Sequence, residues 1–152
     1  QWEWEVKVPS LDTYVFIVPE TFVKNGEERL VVLNDIAKRV VYSRRGKHPT
    51  HVFAYKGEPV QRMLNSSWCR VREKVGLPQV RVHDLKHTFG RRLRAAGVSF
   101  EDRQDLLGHR SGRMTTHYSA AELTKLIEAA NSVCERNGNK PELVVLRRLS
   151  VS

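Results

Sequence analysis

Alternating apolar and polar positions near the start of the chain predict a small antiparallel sheet. Residues 2–8 alternate with the period of two that is typical of a half-buried strand. Residues 14–18 form a second β-rich run and residues 30–33 a third, and the Asn25-Gly26 pair between them is a strong hairpin signal. Together these segments are expected to form a three-stranded antiparallel sheet.

From residue 34 onwards the apolar spacing changes to that of amphipathic helices. The predicted helices cover residues 35–43, 60–75, 83–96 and 99–107, with a last one after the capping box Ser119-Ala120-Ala121-Glu122. The apolar positions expected to face the core are Ile36, Val40 and Val41; Val60, Met63, Leu64, Trp68, Val71 and Val75; Leu85, Phe89 and Leu93; and Leu123, Leu126, Ile127, Ala130 and Cys134. The predicted fold class is α+β, mainly helical, with a small antiparallel three-stranded sheet packed on a helical core.

The length of 152 residues predicts one compact domain that is large enough to bury a core. We expect a small sheet over residues 1–33, a helical core over residues 34–136 and a carboxy-terminal tail over residues 137–152. The tail carries a late apolar segment at residues 141–149, which must dock either on its own domain or on another protomer.

Composition and charge favour a polyanionic partner. The net charge is +9, with 26 Lys+Arg against 17 Asp+Glu and a pI of about 9.9, and each phosphate that a basic protein neutralises releases counterions. No apolar run is long enough to span a membrane, and no signal-peptide pattern opens the chain. Because Gln1 is not an initiator methionine, an excised fragment is expected. Cys69 and Cys134 are predicted to be buried, reduced thiols, and no Cys/His spacing indicates a metal site.

Four residues between positions 83 and 118 suit chemistry on a phosphodiester. His83 and Lys86 are three positions apart and share a helix face, and His109 follows a glycine that permits positive φ. Such donors can stabilise the charge on the non-bridging oxygens of a phosphoryl-transfer transition state. The phenol of Tyr118 can act as a nucleophile, and with a pKa near 10 it is also a usable leaving group. The pattern therefore predicts breaking and rejoining rather than net hydrolysis.

Three motifs in this stretch resemble the carboxy-terminal signature of the tyrosine recombinases, the phage-integrase family. They are H-D-L-K-H-T-F, then L-L-G-H, then T-x-H-Y. The resemblance implies that Tyr118 attacks the scissile phosphate to form a 3′-phosphotyrosyl link while His83, Lys86 and His109 hold that phosphate. It implies no cofactor and no metal. One position departs from the family pattern, because Lys86 stands where the family usually has Arg, and Lys lacks the planar bidentate fork.

The same resemblance assigns a role to Lys24. By itself, a lysine here could be a surface residue that keeps an edge strand soluble. In the family, a K-N-G hairpin followed by a strand to V-x-L carries a catalytic lysine, and Lys24 to Leu33 matches that pattern. Lys24 is therefore expected to protonate the leaving 5′ oxygen. The further Arg of the family, in an upstream helix, and its amino-terminal clamping domain are not in this sequence, so weak or no activity is expected of the chain alone.

The resemblance also implies the partners and the setting. They are double-stranded DNA at attachment-type sites, a homo-oligomer on that DNA, expected to be a tetramer joined through residues 141–149, and the cytoplasm of a bacterium carrying a prophage or mobile element. Alternatives remain open at this stage. One is a recombinase-like module that binds DNA but has lost its chemistry, which Lys86 favours. The others are an enzyme that relaxes supercoils by the same chemistry and a ribonuclease that uses His83 and His109 as acid and base.

Overall fold

A computed structural model describes residues 1–24, 26–60, 62, 65–109 and 118–134 of the chain. Within these ranges it contains five strands and five helices. The strands are β1 (Glu5–Val8), β2 (Thr13–Val18), β3 (Arg29–Val31), β4 (Ala54–Tyr55) and β5 (Glu58–Pro59), and the helices are α1 (Asp35–Tyr42), α2 (Ser66–Lys74), α3 (Val82–Ala95), α4 (Phe100–Leu107) and α5 (Ala120–Ser132). The predicted tail lies outside the described residues.

The first three strands form the predicted antiparallel sheet, in the order β1-β2-β3. Glu5 lies opposite Phe16 across the first pair of strands, and Phe16 lies opposite Val31 across the second. Val15 and Phe16 of the central strand are both buried. The α+β class with a three-stranded antiparallel sheet is therefore confirmed.

β2 and β3 form the predicted hairpin. Because Val18 pairs with Arg29, the connection runs through residues 19–28 and contains a 3₁₀ turn at Glu20–Phe22. Pro19, which has no backbone N–H to donate to the ladder, follows the end of β2. Lys24 lies in an exposed turn of this connection, and Asn25 lies outside the described residues.

The first strand begins at Glu5 rather than at Trp2. The Trp2–Trp4 segment is a 3₁₀ turn. The backbone N–H of Trp2 donates to the carbonyl oxygen of Thr50 (2.8 Å), and its indole Nε1 donates to that of His48 (3.2 Å). The loop after α1 thus takes the hydrogen bonds that a longer strand would have given to β2.

The helix predicted over residues 60–75 is shorter in the structure. β4 and β5 form a two-stranded hairpin through Lys56 and Gly57, whose positive φ values of 53° and 83° are those of a tight hairpin turn. The N–H of Val60 donates to the carbonyl oxygen of Phe53 (3.1 Å), which extends the hairpin by one rung. That bond makes Val60 part of the hairpin, and α2 begins only at Ser66.

The buried core joins the sheet to the helices α3 and α5. Among the described residues the buried apolar side chains are Val15, Phe16, Leu93, Leu123, Leu126 and Ala130. The predicted inward stripe of α5 is confirmed at three of these positions. Ile127 and Cys134 are only half-buried, as is Cys69, so the prediction that both thiols are buried is wrong, although both are free.

Several other apolar stripes face outward, against expectation. Ile36 and Val40 of α1 are about half exposed (49% and 48%), as is Leu85 of α3 (51%), and Val71 and Val75 are more exposed still. Helical period determines which side chains share a face, but it does not determine whether another element covers that face. Leu85 lies in the first turn of α3, whereas the buried Leu93 lies near the end of that helix.

Side-chain caps fix the start of three helices where the sequence predicted them. The Oδ1 of Asn34 accepts from the N–H of Ala37 (2.9 Å) at the start of α1, and the Oγ of Ser99 accepts from the N–H of Asp102 (3.1 Å) at the start of α4. Ser119 and Glu122 form the predicted capping box of α5. These contacts span only three residues, which is why the sequence alone identifies them.

Candidate functional site

The first turns of α3 present the histidine and lysine of the H-D-L-K motif. The backbone N–H of Arg81 donates to the Oδ2 of Asp84 (2.8 Å), and an Arg81–Asp84 ion pair reinforces that bond. The backbone hydrogen bond, then the side-chain contact, hold the pKa of Asp84 below its usual range. The helix start is therefore fixed, and it places His83 and Lys86 on the face that looks toward α4.

His87 belongs to this face as well. Its ring meets that of His83 edge to face, with 4.8 Å between the ring centres. Residues four apart on a helix are neighbours just as residues three apart are. His83 therefore has both Lys86 and His87 beside it, and all three line the same cleft.

The end of α4 places His109. Gly108 adopts a left-handed conformation with φ of 60°, which ends the helix, and its N–H donates to the carbonyl oxygen of Asp105 (3.0 Å). The N–H of His109 then donates to the carbonyl oxygen of Gln104 (2.9 Å). The backbone on both sides of the helix end is thus hydrogen-bonded, which holds the imidazole at the rim of the cleft.

The cleft lies between α3 and α4 and has a volume of about 370 Å³. The two helices approach closely where Gly90 faces Leu107, since a β-carbon at position 90 would lie 3.1 Å from the leucine Cδ1. The cleft is lined by His83, Lys86, His87, Gly90, Arg91, Arg94, Phe100, Arg103, Gln104, Leu107 and His109. Of the residues that the structure describes, no Asp or Glu lines it, so the cleft is suited to an anion.

Three predicted site residues, His83, Lys86 and His109, therefore come together in one cleft. Partial burial lowers the pKa of His109, and the nearby charges of Lys86, Arg29 and His87 lower it further. The lowered pKa favours the neutral form of His109, whose ring offers one N–H donor. The neighbouring cations disfavour protonation of the His109 imidazole. A phosphate anion in the cleft would offset their charge and raise the pKa of His109.

Arg29 is a neighbour of the cleft that the sequence did not indicate. It begins β3, and its guanidinium lies against Gly108: an ideal β-carbon on that glycine would be 2.3 Å from both its Nε and its Cζ. In the part of the chain that the structure describes, the Nε of Arg29 is buried and has no hydrogen-bond partner. Leaving a buried donor unpaired costs about 1–3 kcal/mol or more, so this placement needs a reason.

A substitution at Gly108 tests the closeness of this contact. Gly108→Ala combines a left-handed backbone, which costs an L-residue about 1–2 kcal/mol, with a clash against Arg29. Gly97→Ala is the matched control, because Gly97 also has a positive φ (76°) but no atom within 4 Å of its added β-carbon. Urea unfolding of the chain should show a larger loss of stability for Gly108→Ala than for Gly97→Ala. Equal losses would mean that the Arg29 side chain moves aside freely, which would contradict a tight contact with Gly108.

The structure does not place the other two predicted site residues in the lining of this cleft, as far as the described residues define it. Lys24 is exposed in the β2–β3 loop. Tyr118 is half-buried and lies two positions before α5, next to the cap residue Ser119. Residues 110–117, which connect His109 to Tyr118, lie outside the described residues. The predicted catalytic roles of Lys24 and Tyr118 remain predictions.

α5, which Tyr118 precedes, packs against both helices of the cleft. Lys125 of α5 pairs with Asp102 of α4 (2.8 Å), and Leu126 is buried. At the other end of α5, the amide nitrogen of Asn34 donates to the carbonyl oxygen of Ala130 (3.3 Å). The helix that follows Tyr118 is therefore anchored to α4 and to the start of α1.

Three arginines of the cleft were not among the predicted site residues. Arg91, Arg94 and Arg103 line its wall, and Arg103 stacks over the exposed Phe100 with 5.6 Å between the guanidinium carbon and the ring centre. The signal for Arg94 was available: position 94 is eleven residues after His83, close to three full helical turns. Arg103 had no local signal, because its place depends on how α4 meets α3.

The described residues contain no cluster of three or more His, Cys, Asp or Glu side chains that could hold a metal ion. None of the helices in those ranges is both long enough and apolar enough to cross a bilayer.

Comparison with known proteins gives consistent matches. The profile of the phage integrase family matches residues 4–125. The integrase of Salmonella phage P22 is 32% identical over 144 residues, which are 86% of this chain and 37% of that protein. The tyrosine recombinase XerA of Saccharolobus solfataricus is 33% identical over 123 residues, 80% of this chain and 40% of the relative. The tyrosine recombinase XerC of Mesorhizobium japonicum is 27% identical over 122 residues, which are 74% of this chain and 39% of that protein.

The chain therefore spans roughly two fifths of the length of these relatives. No solved structure gives a significant match.

Proposed function

The chain belongs to the phage integrase family, and from that premise we propose that it is the catalytic part of a site-specific DNA recombinase. The observation that carries the proposal is the cleft between α3 and α4. It brings His83, Lys86 and His109 together, and no described Asp or Glu lines it. Fixed cations and N–H donors around one anion are what phosphoryl transfer requires of a protein.

The proposed reaction begins when Tyr118 loses its phenolic proton to solvent and its oxygen attacks the scissile phosphorus. The bond from phosphorus to the 5′ oxygen breaks, and the phosphate stays on the protein as a 3′-phosphotyrosyl ester. Lys86 and the two imidazoles hold the non-bridging oxygens throughout. Rejoining reverses these bonds: a 5′ hydroxyl attacks the phosphorus and expels the phenolate, which is a usable leaving group.

Lys24 is proposed to give a proton to the departing 5′ oxygen. Its loop leads directly into β3, whose first residue, Arg29, contacts Gly108 beside the cleft. The hairpin that carries Lys24 is therefore attached to the site even though Lys24 itself is exposed. In this account the lysine reaches the leaving group when DNA occupies the cleft.

A change of leaving group tests that role. Because the chain spans about two fifths of its relatives, cleavage assays are designed for a full-length protein that contains these residues, here called the parent protein. Lys24→Ala should slow cleavage of ordinary DNA by about 10²–10⁴-fold. With sulfur in place of the 5′ bridging oxygen the rate should return to near that of the unsubstituted protein, because a thiolate (thiol pKa about 8.5) leaves without protonation.

Two controls accompany the Lys24 experiment. Lys7→Ala removes a different exposed lysine, one that pairs with Asp12 on the sheet (3.6 Å), and should have no effect on either substrate. His109→Gln should slow cleavage of both substrates, because it removes a phosphate contact and not the proton donor. Equal slowing of both substrates by Lys24→Ala would mean that Lys24 is not the acid.

The partners and organisation follow from the same proposal. We propose that residues 1–152 form a truncated catalytic domain, with a small sheet, a helical core and a tail, which binds double-stranded attachment-type DNA in the cytoplasm. The proposed assembly is a tetramer joined through residues 141–149, and the proposed setting is integration or excision of a prophage or mobile element. Full activity would require a further upstream Arg and a DNA-clamping domain.

A DNA-binding module without catalysis is the second candidate, and Lys86 is the observation that favours it, because a lysine contacts phosphate as a point charge and not as a bidentate fork. The parent protein should be incubated with nicked DNA and resolved on a denaturing gel. The recombinase predicts a covalent adduct on the strand that ends in a 3′ phosphate. A gel shift under native conditions without any adduct would support the binding module.

A further inference from the structure

Arg29 occupies an unusual position between the sheet and the cleft. It is the first residue of β3, where it pairs with Val18 of the central strand, so its backbone is fixed by the ladder. Its side chain reaches across to the end of α4, 79 positions further along the chain, and covers the α-carbon side of Gly108. The guanidinium and the glycine are in direct contact, since even a methyl group at position 108 would overlap the Nε, the Cζ and the Nη2.

Two features distinguish this contact from ordinary surface packing. The Nε of Arg29 is buried against Gly108 without a partner among the described residues, although buried donors are nearly always paired. In addition, the residue that follows Gly108 is His109, at the rim of the cleft. Charged groups near His109 come from two elements that meet at the helix end: Lys86 and His87 from α3, and Arg29 from β3.

From this geometry we propose that Arg29 is a positioning residue for His109, whose guanidinium packs on Gly108 and fixes where the imidazole stands at the phosphate cleft. The inference rests on the proposed function and deepens it by adding a residue that need not touch the phosphate. It also connects the hairpin that carries Lys24 to the end of α4, because both are held by the same strand. A shift of the hairpin would then move Gly108 and His109 with it.

The charge of Arg29 gives the same residue a second, measurable effect. Arg29 is one of the cations that lower the pKa of His109. Its effect is smaller than those of burial and Lys86 and larger than that of His87. A neutral imidazole keeps one donor N–H and avoids a repelled positive charge until an anion arrives. A neutral side chain that only filled space beside Gly108 could lower this pKa through burial but not through its charge.

The experiment separates charge from shape with two variants, Arg29→Gln and Arg29→Lys. Proton NMR of the 152-residue chain follows the His109 ring against pH, with the resonance assigned by its loss in His109→Gln. Arg29→Gln should raise the pKa of His109, whereas Arg29→Lys should leave it low. Arg39→Gln is the control, because Arg39 donates to Asp35 within α1, and it should leave the pKa unchanged.

The parent protein supplies the second measurement. Both Arg29 variants should slow strand cleavage on the order of 10²-fold, the effect of misplacing a reacting group by about 1 Å. Arg39→Gln should cleave at the unsubstituted rate. If Arg29→Gln leaves the His109 pKa unchanged, or if Arg29→Lys cleaves at full rate, the positioning role is wrong. Because the titration needs no cleavage activity, it tests Arg29 even if the parent protein does not cut DNA.

A double substitution tests the contact between Arg29 and Gly108 independently of the titration. Arg29→Ala in the Gly108→Ala background removes the atoms that the new methyl group would strike. It should therefore recover part of the stability lost in Gly108→Ala alone. No recovery would show that the guanidinium does not press on Gly108, and the proposal would fail with it.

Discussion

Replacing Tyr118 with Phe in the parent protein is expected to abolish covalent adduct formation on nicked DNA, with a fall in cleavage rate of roughly 10⁴-fold or more. Phe keeps the ring and its packing but has no oxygen to attack phosphorus. Without the nucleophile no phosphotyrosyl ester can form, whatever the remaining cations do. The trapping assay described above measures this directly, as the loss of the slowly migrating band on a denaturing gel.

Binding should survive the same substitution. The cations of the cleft and the net charge of +9 are unchanged, so native gel shifts of the Tyr118→Phe protein should match those of the unsubstituted protein. Tyr14→Phe is the matched control, since it removes a phenol from the sheet and should leave trapping intact. Continued trapping after Tyr118→Phe would show that another residue is the nucleophile.

Lys86 is a second residue whose substitution is expected to slow cleavage strongly. Lys86→Ala should slow cleavage by about 10²–10³-fold, the range seen when one donor that stabilises a developing oxyanion is removed. Lys86→Arg should cleave at least as fast as the unsubstituted protein, because a guanidinium offers two parallel donors to a phosphate where an ammonium offers a point charge. Single-turnover cleavage rates of the parent protein and both variants provide the measurement.

Lys74→Ala is the control for these variants, because Lys74 ends α2 and does not line the cleft. At moderate salt, Lys74→Ala should cleave DNA at the same rate as the unsubstituted parent protein. Two results would contradict the role given to Lys86. One is normal cleavage by Lys86→Ala, and the other is a loss in Lys86→Arg as large as that in Lys86→Ala.

The sequence predicted those parts of the site that depend on neighbours a few residues away. His83 and Lys86 share a face because three residues separate them on a helix, and His109 follows a glycine that ends one. Local hydrogen bonds likewise made the caps at Ser99 and Ser119 predictable. The sequence also supplied the α+β class, since strand and helix periods differ along the chain.

The parts that the sequence could not supply depend on how distant elements meet. Arg29 contacts Gly108 only because the start of β3 meets the end of α4, and no short-range pattern encodes that meeting. Arg103 lines the cleft for a similar reason. His87 is a different case: it lies four positions after His83 on the same helix face, and its ring meets that of His83 edge to face at 4.8 Å.

The exposed apolar side chains show the same limit. The spacing of Ile36 and Val40 correctly put them on one face of α1, yet each is about half exposed. Val60 shows a related effect. Its N–H donates to the carbonyl oxygen of Phe53, so Val60 belongs to the hairpin and not to the following helix. Tertiary packing and hydrogen bonding decided both outcomes, and helix or strand propensity alone could not have predicted them.

The central claim is that the cations of the α3–α4 cleft and the phenol of Tyr118 act on a single DNA phosphate. The most direct measurement is to trap the parent protein on nicked DNA, digest the adduct with protease and identify the modified residue by mass spectrometry. We expect a nucleotide joined through its 3′ phosphate to Tyr118, and we expect that adduct to form about 10²–10³-fold more slowly in Lys86→Ala. An adduct on any other residue, or one joined through a 5′ phosphate, would contradict this claim.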